Sequence, residues 1–171
     1  RMGRDDKLMR SIRSMARTAT PRRLVFSEGD SLNTIKAAIH LLSDGIATPI
    51  LIGSRSKIHA LLDEHKLSLD DKYILDFRSD EEEPRRQRYA TLLYSKMSRK
   101  GINHAEALKY MMQRDWFTLM MVASGDADTS LLGFGHSYIQ SLEPVRQVFG
   151  LQPSNRLATM QIVTTKRGPM F

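Results

Sequence analysis

The sequence predicts an α/β fold in which an open, mainly parallel sheet is flanked by helices, giving three layers. Short apolar runs of strand length alternate with longer segments whose apolar residues recur at helical spacing, a pattern typical of βαβ units. The runs are apolar almost throughout, as expected for strands that are covered on both faces. The last run, 169–171, is too short to complete a hairpin arm, so we expect the domain to be truncated partway through its fold.

The first half of the chain follows this alternation closely. Ser31 stands where a helix is expected to begin, and Gly45 follows its last apolar residues, so we expect them at the N-cap and at C′. The predicted elements of this half are a strand over 23–26, a helix over 32–42, a strand over 48–52, a helix through 58–62 and a strand over 73–75.

The second half is mainly helical before it returns to strands. Asn103, with Glu106 three residues later, forms a capping-box pattern that predicts the start of a helix. The segment 116–124 is apolar nearly all round, which predicts a buried helix. The other predicted elements are a helix over 81–99 that ends before Gly101, a strand over 130–132, a helix over 139–149, a strand over 157–164 and a returning strand over 169–171.

Composition and charge exclude several classes of function. With 171 residues, 41% hydrophobic and 26% charged, the chain suits one globular domain, and the absence of cysteine excludes disulfides and thiolate metal sites. No run approaches the roughly 18 apolar residues of a membrane span, and no secretory signal is seen. We therefore expect a cytoplasmic protein with no membrane partner.

The net charge of +7 is concentrated at the start of the chain, where eight basic residues and two acidic ones precede position 24. Leu8, Ile12 and Met15 recur there at helical spacing, so residues 1–21 are predicted to form a basic amphipathic linker helix that packs on a neighbour. A membrane-surface helix is the weaker alternative, since no aromatic anchor accompanies the apolar edge. The body is nearly neutral and lacks a basic patch with stacking aromatics, so no nucleic-acid partner is expected.

One loop stands out as a candidate binding site. Gly133, Gly135, His136 and Ser137 lie between a predicted strand and the helix that follows it, where open α/β sheets bind ligands. Glycines permit a close approach of the backbone, and the amino end of a helix attracts anions such as phosphate or carboxylate. The alternative is a tight strand-to-helix turn in which Ser137 serves only as a cap.

The remaining polar residues give weaker signals. The other four histidines have no partners at metal-ligand spacing and are expected at the surface, and no metal site is predicted. Asp126 and Asp128 suggest metal binding or acid–base chemistry, but a structural turn before a strand is the favoured interpretation. No phosphate-binding loop, dinucleotide glycine fingerprint or nucleophile elbow occurs.

Several of these segments together resemble one enzyme family. The segments 23–29, 37–53, 120–122 and 125–128, the Lys100-Gly101 pair and the Gly133-x-x-His136-Ser137 motif are similar, in order and spacing, to the phosphate acetyl/butyryltransferase family. The resemblance covers residues 22–171, which would form the amino-terminal half of a phosphotransacetylase-like domain. This domain occurs as the free-standing transferase and as the carboxy-terminal domain of bacterial NADP-dependent malic enzymes. The leader 2–12 and the segment 164–171 resemble the malic-enzyme version.

The resemblance implies a regulatory and oligomerisation domain. Its parent would decarboxylate malate oxidatively to pyruvate in an absent domain that binds NADP and a divalent metal, while this fragment holds no cofactor. It implies acetyl-CoA as the small-molecule effector, contacted by Gly133, Gly135, His136 and Ser137, and it implies the parent's own malic-enzyme domain and further copies of the chain as partners. Two alternatives stay open, an active phosphate acetyltransferase and a ligand-free oligomerisation module.

Three departures from the family pattern bear on catalysis. Glu143 and Met97 stand where the resemblance implies arginines, and Leu132 stands where it implies serine. Since a glutamate repels the phosphate that an arginine would hold by bidentate bonds, we expect phosphoryl chemistry to be lost and assign no catalytic residue.

Overall fold

A computed structural model of the chain describes residues 5–132, 138–150, 163–165 and 168–170. Its strands are Arg22–Phe26 (β1), Ala47–Ile52 (β2), Ile74–Leu75 (β3), Thr129–Leu131 (β4), Val163–Thr165 (β5) and Gly168–Met170 (β6). Its helices are Asp5–Thr18 (α1), Leu32–Ser43 (α2), Arg55–Glu64 (α3), Glu83–Met97 (α4), His104–Met111 (α5), Arg114–Ala123 (α6) and Tyr138–Phe149 (α7).

The strands β1 to β4 form one parallel sheet in the order β3-β2-β1-β4. Side chains alternate across it: Val25 packs with α4, α5, α6 and α7 on one face, while Phe26 packs with α2 and α3 on the other. The same alternation separates Ile52 from Leu51 on β2. Two apolar cores therefore sandwich the sheet, which confirms the three-layer α/β prediction.

The predicted ends of α2 are confirmed in position. Ser31 occupies the N-cap, although its side chain makes no capping hydrogen bond. At the other end Gly45 adopts φ +66°, its N–H donates to the Leu42 carbonyl at 3.1 Å, and the N–H of Ile46 donates to Leu41 at 3.0 Å. This pair of bonds satisfies carbonyls that the helix leaves open, and it needs a residue that tolerates the left-handed region.

The capping box of α5 is also confirmed. The N–H of Glu106 donates to the Asn103 side chain and the N–H of Asn103 donates to the Glu106 carboxylate, each at 2.9 Å. The helix predicted over 81–99 is shorter, because tight 3-10 turns at Asp80–Glu82 and Ser98–Lys100 flank α4. Tyr73 likewise belongs to a 3-10 turn and not to β3.

The second half confirms two further predictions and corrects one detail. In α6 the six successive residues 116–121 are all buried, as the all-round apolar pattern predicts. β4 begins one residue earlier than expected and lies at an edge of the sheet, where Leu131 stays 46% exposed. β5 and β6 form the expected hairpin, while residues 157–162 of the predicted strand lie outside the described part of the chain.

Within the predicted linker segment 1–21, residues Asp5–Thr18 form helix α1, and an ion pair at 2.6 Å joins its Arg17 to Asp44 at the end of α2. Ile12 and Met15 on its apolar edge are 39% and 63% exposed, so the packing of this edge on a neighbour stays a prediction. None of the helices that the structure describes is long and apolar enough to cross a bilayer.

Candidate functional site

The segment 27–31 carries the chain from β1 into α2 across the carboxyl edge, the edge at which the parallel strands end. The Ser27 N–H donates to the Leu131 carbonyl at 3.1 Å, and the Gly29 N–H donates to Ile52 at 2.9 Å. A Cβ on Gly29 would lie 2.7 Å from the Leu51 Cβ, so only glycine fits this close approach. These contacts fix the side chains that follow β1.

A cleft of about 830 Å³ opens at this edge, which we call the carboxyl-edge cleft. One side is formed by the residues that follow β1, and the opposite side by the start of α6 and the middle of α7. Among its lining carboxylates are Glu28, Asp115 and Glu143. The cleft is therefore rich in negative charge.

Arg114 and Asp30, which both line this cleft, form a bidentate ion pair. The Arg114 Nη1 and Nη2 atoms donate to the two Asp30 carboxylate oxygens at 2.6 and 2.9 Å. The hydrogen bonds from Arg114 lower the pKa of Asp30, and those same bonds raise the pKa of Arg114. Because the pair joins residues 84 positions apart, it fixes α6 against the end of β1.

An aromatic pair forms the neighbouring wall. The rings of Tyr110 on α5 and Trp116 on α6 lie 4.2 Å apart at 31°, close to an offset stack. Trp116 is 6% exposed and belongs to the larger core, so the pair connects the cleft to the packing beneath it.

A second hollow of about 570 Å³ lies on the other side of Tyr110, Glu143 and Gln147, which line both spaces. We call it the α7 hollow. Met97 at the end of α4 and Glu143 on α7 both line it, so the two positions at which the family resemblance implies arginines come together there. Lys100 and Arg146 line the same hollow. The Gln147 amide donates to the Glu143 carboxylate at 2.5 Å.

The predicted loop residues Gly133, Gly135, His136 and Ser137 lie outside the described part of the chain. Its flanks are described: β4 ends at Leu131 and α7 begins at Tyr138. The third departure from the family pattern, Leu132, packs half-buried against the larger core.

Sequence reasoning missed Arg114, Tyr110, Trp116 and Arg146. Neither helical periodicity nor any motif singles them out, because their importance comes from contacts between separate helices. The single tryptophan of the chain was the one available signal, since a lone large aromatic beside charged residues often marks a site.

Asp126 and Asp128 have structural partners away from the carboxyl edge. Asp128 accepts hydrogen bonds from the Arg23 side chain, and these bonds lower its pKa to about 2. Asp126 pairs with Arg88 and accepts a hydrogen bond from Tyr89. The favoured interpretation of these aspartates as structural agrees with this geometry.

The four histidines outside the loop are exposed, and they are His40, His59, His65 and His104. His59 pairs with Asp71 at 2.8 Å. Within the described ranges, no group of three or more histidine and carboxylate side chains is arranged to hold a metal ion.

Comparison with known proteins places these features in a family. The family described as Phosphate acetyl/butaryl transferase matches residues 7–171. An NADP-dependent malic enzyme of Salmonella typhimurium is 34% identical over 83% of this chain and 19% of its own length. A phosphate acetyltransferase of Acetivibrio thermocellus is 29% identical over 80% of the chain and 40% of its own length.

A phosphotransacetylase structure from Streptococcus pyogenes superposes with a TM-score of 0.71 at 23% identity, over 86% of this chain and 45% of that one, and this likeness supports the fold. The chain thus spans about a fifth of the length of the malic enzymes that it matches. The family match extends over almost the whole chain. The chain therefore belongs to the phosphate acetyl/butyryl transferase family.

Proposed function

We propose that this chain is part of the phosphotransacetylase-like domain of an NADP-dependent malic enzyme and binds an effector without transferring acetyl groups. Support comes from relatives named NADP-dependent malic enzyme at 30 to 34% identity. Malate oxidation, with its NADP and divalent metal, would belong to a separate domain of the parent. The complete protein would then reduce NADP when malate is supplied.

The observation that carries the loss of transfer chemistry is the lining of the α7 hollow. Met97 brings a neutral thioether and Glu143 a negative charge to the positions where the resemblance implies two arginines. An arginine-to-glutamate difference changes the local charge by two units and repels a phosphate dianion. The bond from Gln147 holds the Glu143 carboxylate in place.

For the effector we propose acetyl-CoA, bound through Gly133, Gly135, His136 and Ser137. This segment joins the carboxyl end of β4 to the amino end of α7. Backbone N–H groups at such a helix start suit a carbonyl or phosphate oxygen, and glycines allow the ligand to approach closely.

Calorimetric titration of the complete domain that contains this chain with acetyl-CoA tests the effector. Gly135→Val and His136→Ala are each expected to weaken binding by roughly ten- to a hundredfold, the cost of one charge-assisted hydrogen bond. His65→Ala is the matched control, since His65 is an exposed residue at the end of α3. Equal affinity in the wild type and both loop variants would remove this segment from the site.

An active phosphate acetyltransferase is the second candidate, and two observations favour it. Lys100 and Arg146 still supply cations to the α7 hollow, and phosphate acetyltransferases are among the relatives. Formation of acetyl phosphate from acetyl-CoA and phosphate separates the two candidates.

A further inference from the structure

We infer that the α7 hollow is a binding site for a small organic carboxylate, held by Arg146 and Lys100. The site uses residues other than the loop that we propose for acetyl-CoA, so it stands whether or not that effector binds. Its volume of about 570 Å³ falls in the range of small-molecule pockets.

The first argument is that these two cations have no partner among the residues that the structure describes. Arg85, Arg88 and Arg114 each lie beside a carboxylate. Within the described ranges, Arg146 and Lys100 have neither an ion pair nor a side-chain hydrogen bond, although both line one hollow. Two unpaired cations that face a common space are a ready site for an anion.

The second argument concerns the residue that would ordinarily neutralise Arg146. Glu143 precedes it by three positions on α7, a spacing at which glutamate and arginine commonly pair on a helix. Here the Glu143 carboxylate instead accepts the amide of Gln147 at 2.5 Å. Within the described residues, Arg146 therefore forms no ion pair with the nearest glutamate on its own helix.

The third argument sets the chemical class. Met97 is 2% exposed, and with Ile102 and the Tyr110 ring it gives the hollow an apolar surface beside the cations. Glu143 supplies one negative charge to the same space and so disfavours a dianion. A monocarboxylate with a short apolar chain satisfies both conditions, whereas inorganic phosphate satisfies neither.

Butyrate is a suitable probe, and the intrinsic tryptophan fluorescence of the chain can report its binding. Its one tryptophan, Trp116, stacks on Tyr110, so a ligand that contacts Tyr110 is expected to change the tryptophan fluorescence. Titration of the chain with butyrate, followed by this signal and by calorimetry, is expected to show saturable binding that weakens with added salt.

Three variants and one control decide the assignment. We expect Arg146→Gln to weaken butyrate binding about tenfold and Lys100→Gln about threefold, while Glu143→Gln tightens it about threefold. Arg99→Gln is the matched control, because Arg99 is exposed next to Lys100 but does not line the hollow. A gain in affinity by Glu143→Gln cannot come from a misfolded protein.

Two results would overturn the inference. One is an unchanged butyrate affinity in Arg146→Gln relative to Arg99→Gln, or no saturable binding at all. The other is tighter binding of inorganic phosphate than of butyrate through Arg146, which would identify a phosphate site. Acetyl-CoA titration of Arg146→Gln, with the loop intact, shows separately whether the proposed effector site has failed.

Discussion

Two hollows of nearly equal size on this domain treat their charges in opposite ways. The α7 hollow measures about 570 Å³, and a hollow of about 550 Å³ lies at the amino edge of the sheet, where the strands begin. The amino-edge hollow is lined by four cations, each beside a carboxylate, in the pairs Arg23–Asp128, Lys72–Asp70, Arg85–Glu82 and Arg88–Asp126. In the α7 hollow, neither cation has such a partner within the described part of the chain.

Size therefore does not distinguish the proposed binding site from a structural surface, whereas the pairing of charges does. One of the amino-edge ion pairs, Arg23–Asp128, joins β1 to the turn before β4, consistent with the rule that ligands bind at the opposite edge. The exposed cations of the α7 hollow keep their charge available to a ligand, whereas those of the amino-edge hollow already lie beside carboxylates. Three measurements test this contrast.

The largest expected effect is on catalysis. We expect no acetyl phosphate formation from acetyl-CoA and phosphate, because Met97 and Glu143 leave the α7 hollow without the two arginines that the family resemblance implies. The measurement is a coupled assay of acetyl phosphate with the complete domain that contains this chain, and the Acetivibrio thermocellus phosphate acetyltransferase is the positive control. Robust turnover by the unmodified complete domain would contradict this expectation and would mean that Lys100 and Arg146 suffice as the cations of the hollow.

A smaller effect is expected on stability, from one glycine at each edge. Gly29→Ala, at the carboxyl edge, would force a Cβ to 2.7 Å from Leu51 and is expected to cost about 2–3 kcal/mol of unfolding free energy. Gly45→Ala, before β2 at the amino edge, meets open space and costs about 1 kcal/mol through its positive φ. Urea unfolding of both variants checks the order, and equal costs would contradict the steric argument.

The smallest effect is on the acid dependence of the amino edge. Asp128 has a pKa of about 2, below its ordinary value of 3.8, because Arg23 donates hydrogen bonds to it. A lowered pKa in the folded state stabilises the fold above pH 4, and this contribution is lost as the pH falls toward 2. In a carboxyl NMR titration, Arg23→Gln is expected to return the Asp128 pKa toward its ordinary value, and Arg22→Gln to leave it largely unchanged.

Local chemistry explains which parts of the fold could be predicted. The end of α2 at Gly45 and the capping box of Asn103 and Glu106 depend on residues a few positions apart, and both are as expected. The shortened α4 shows the limit of this approach, because acidic residues that favour a helix start also suit the 3-10 turn at Asp80–Glu82.

The candidate site was less accessible to prediction because its geometry depends on distant contacts. Asp30 and Arg114 meet only after β1 and α6 have packed, and nothing in either local sequence indicates the other. The resemblance did single out Met97 and Glu143, which the fold brings to one hollow, but it gave no reason to notice Arg146. Charged residues on a helix become informative only when their partners are known.

The partition formed by Tyr110, Glu143 and Gln147 has a thermodynamic consequence. Because these residues belong to both the carboxyl-edge cleft and the α7 hollow, a ligand that shifts the partition on one side alters the binding surface on the other. Such a coupling is reciprocal: the factor by which one ligand changes the affinity of the second equals the factor in the reverse direction. Binding in the two spaces would then form a single linked equilibrium. The concentration of a ligand that binds in one space would set the apparent dissociation constant of the ligand that binds in the other.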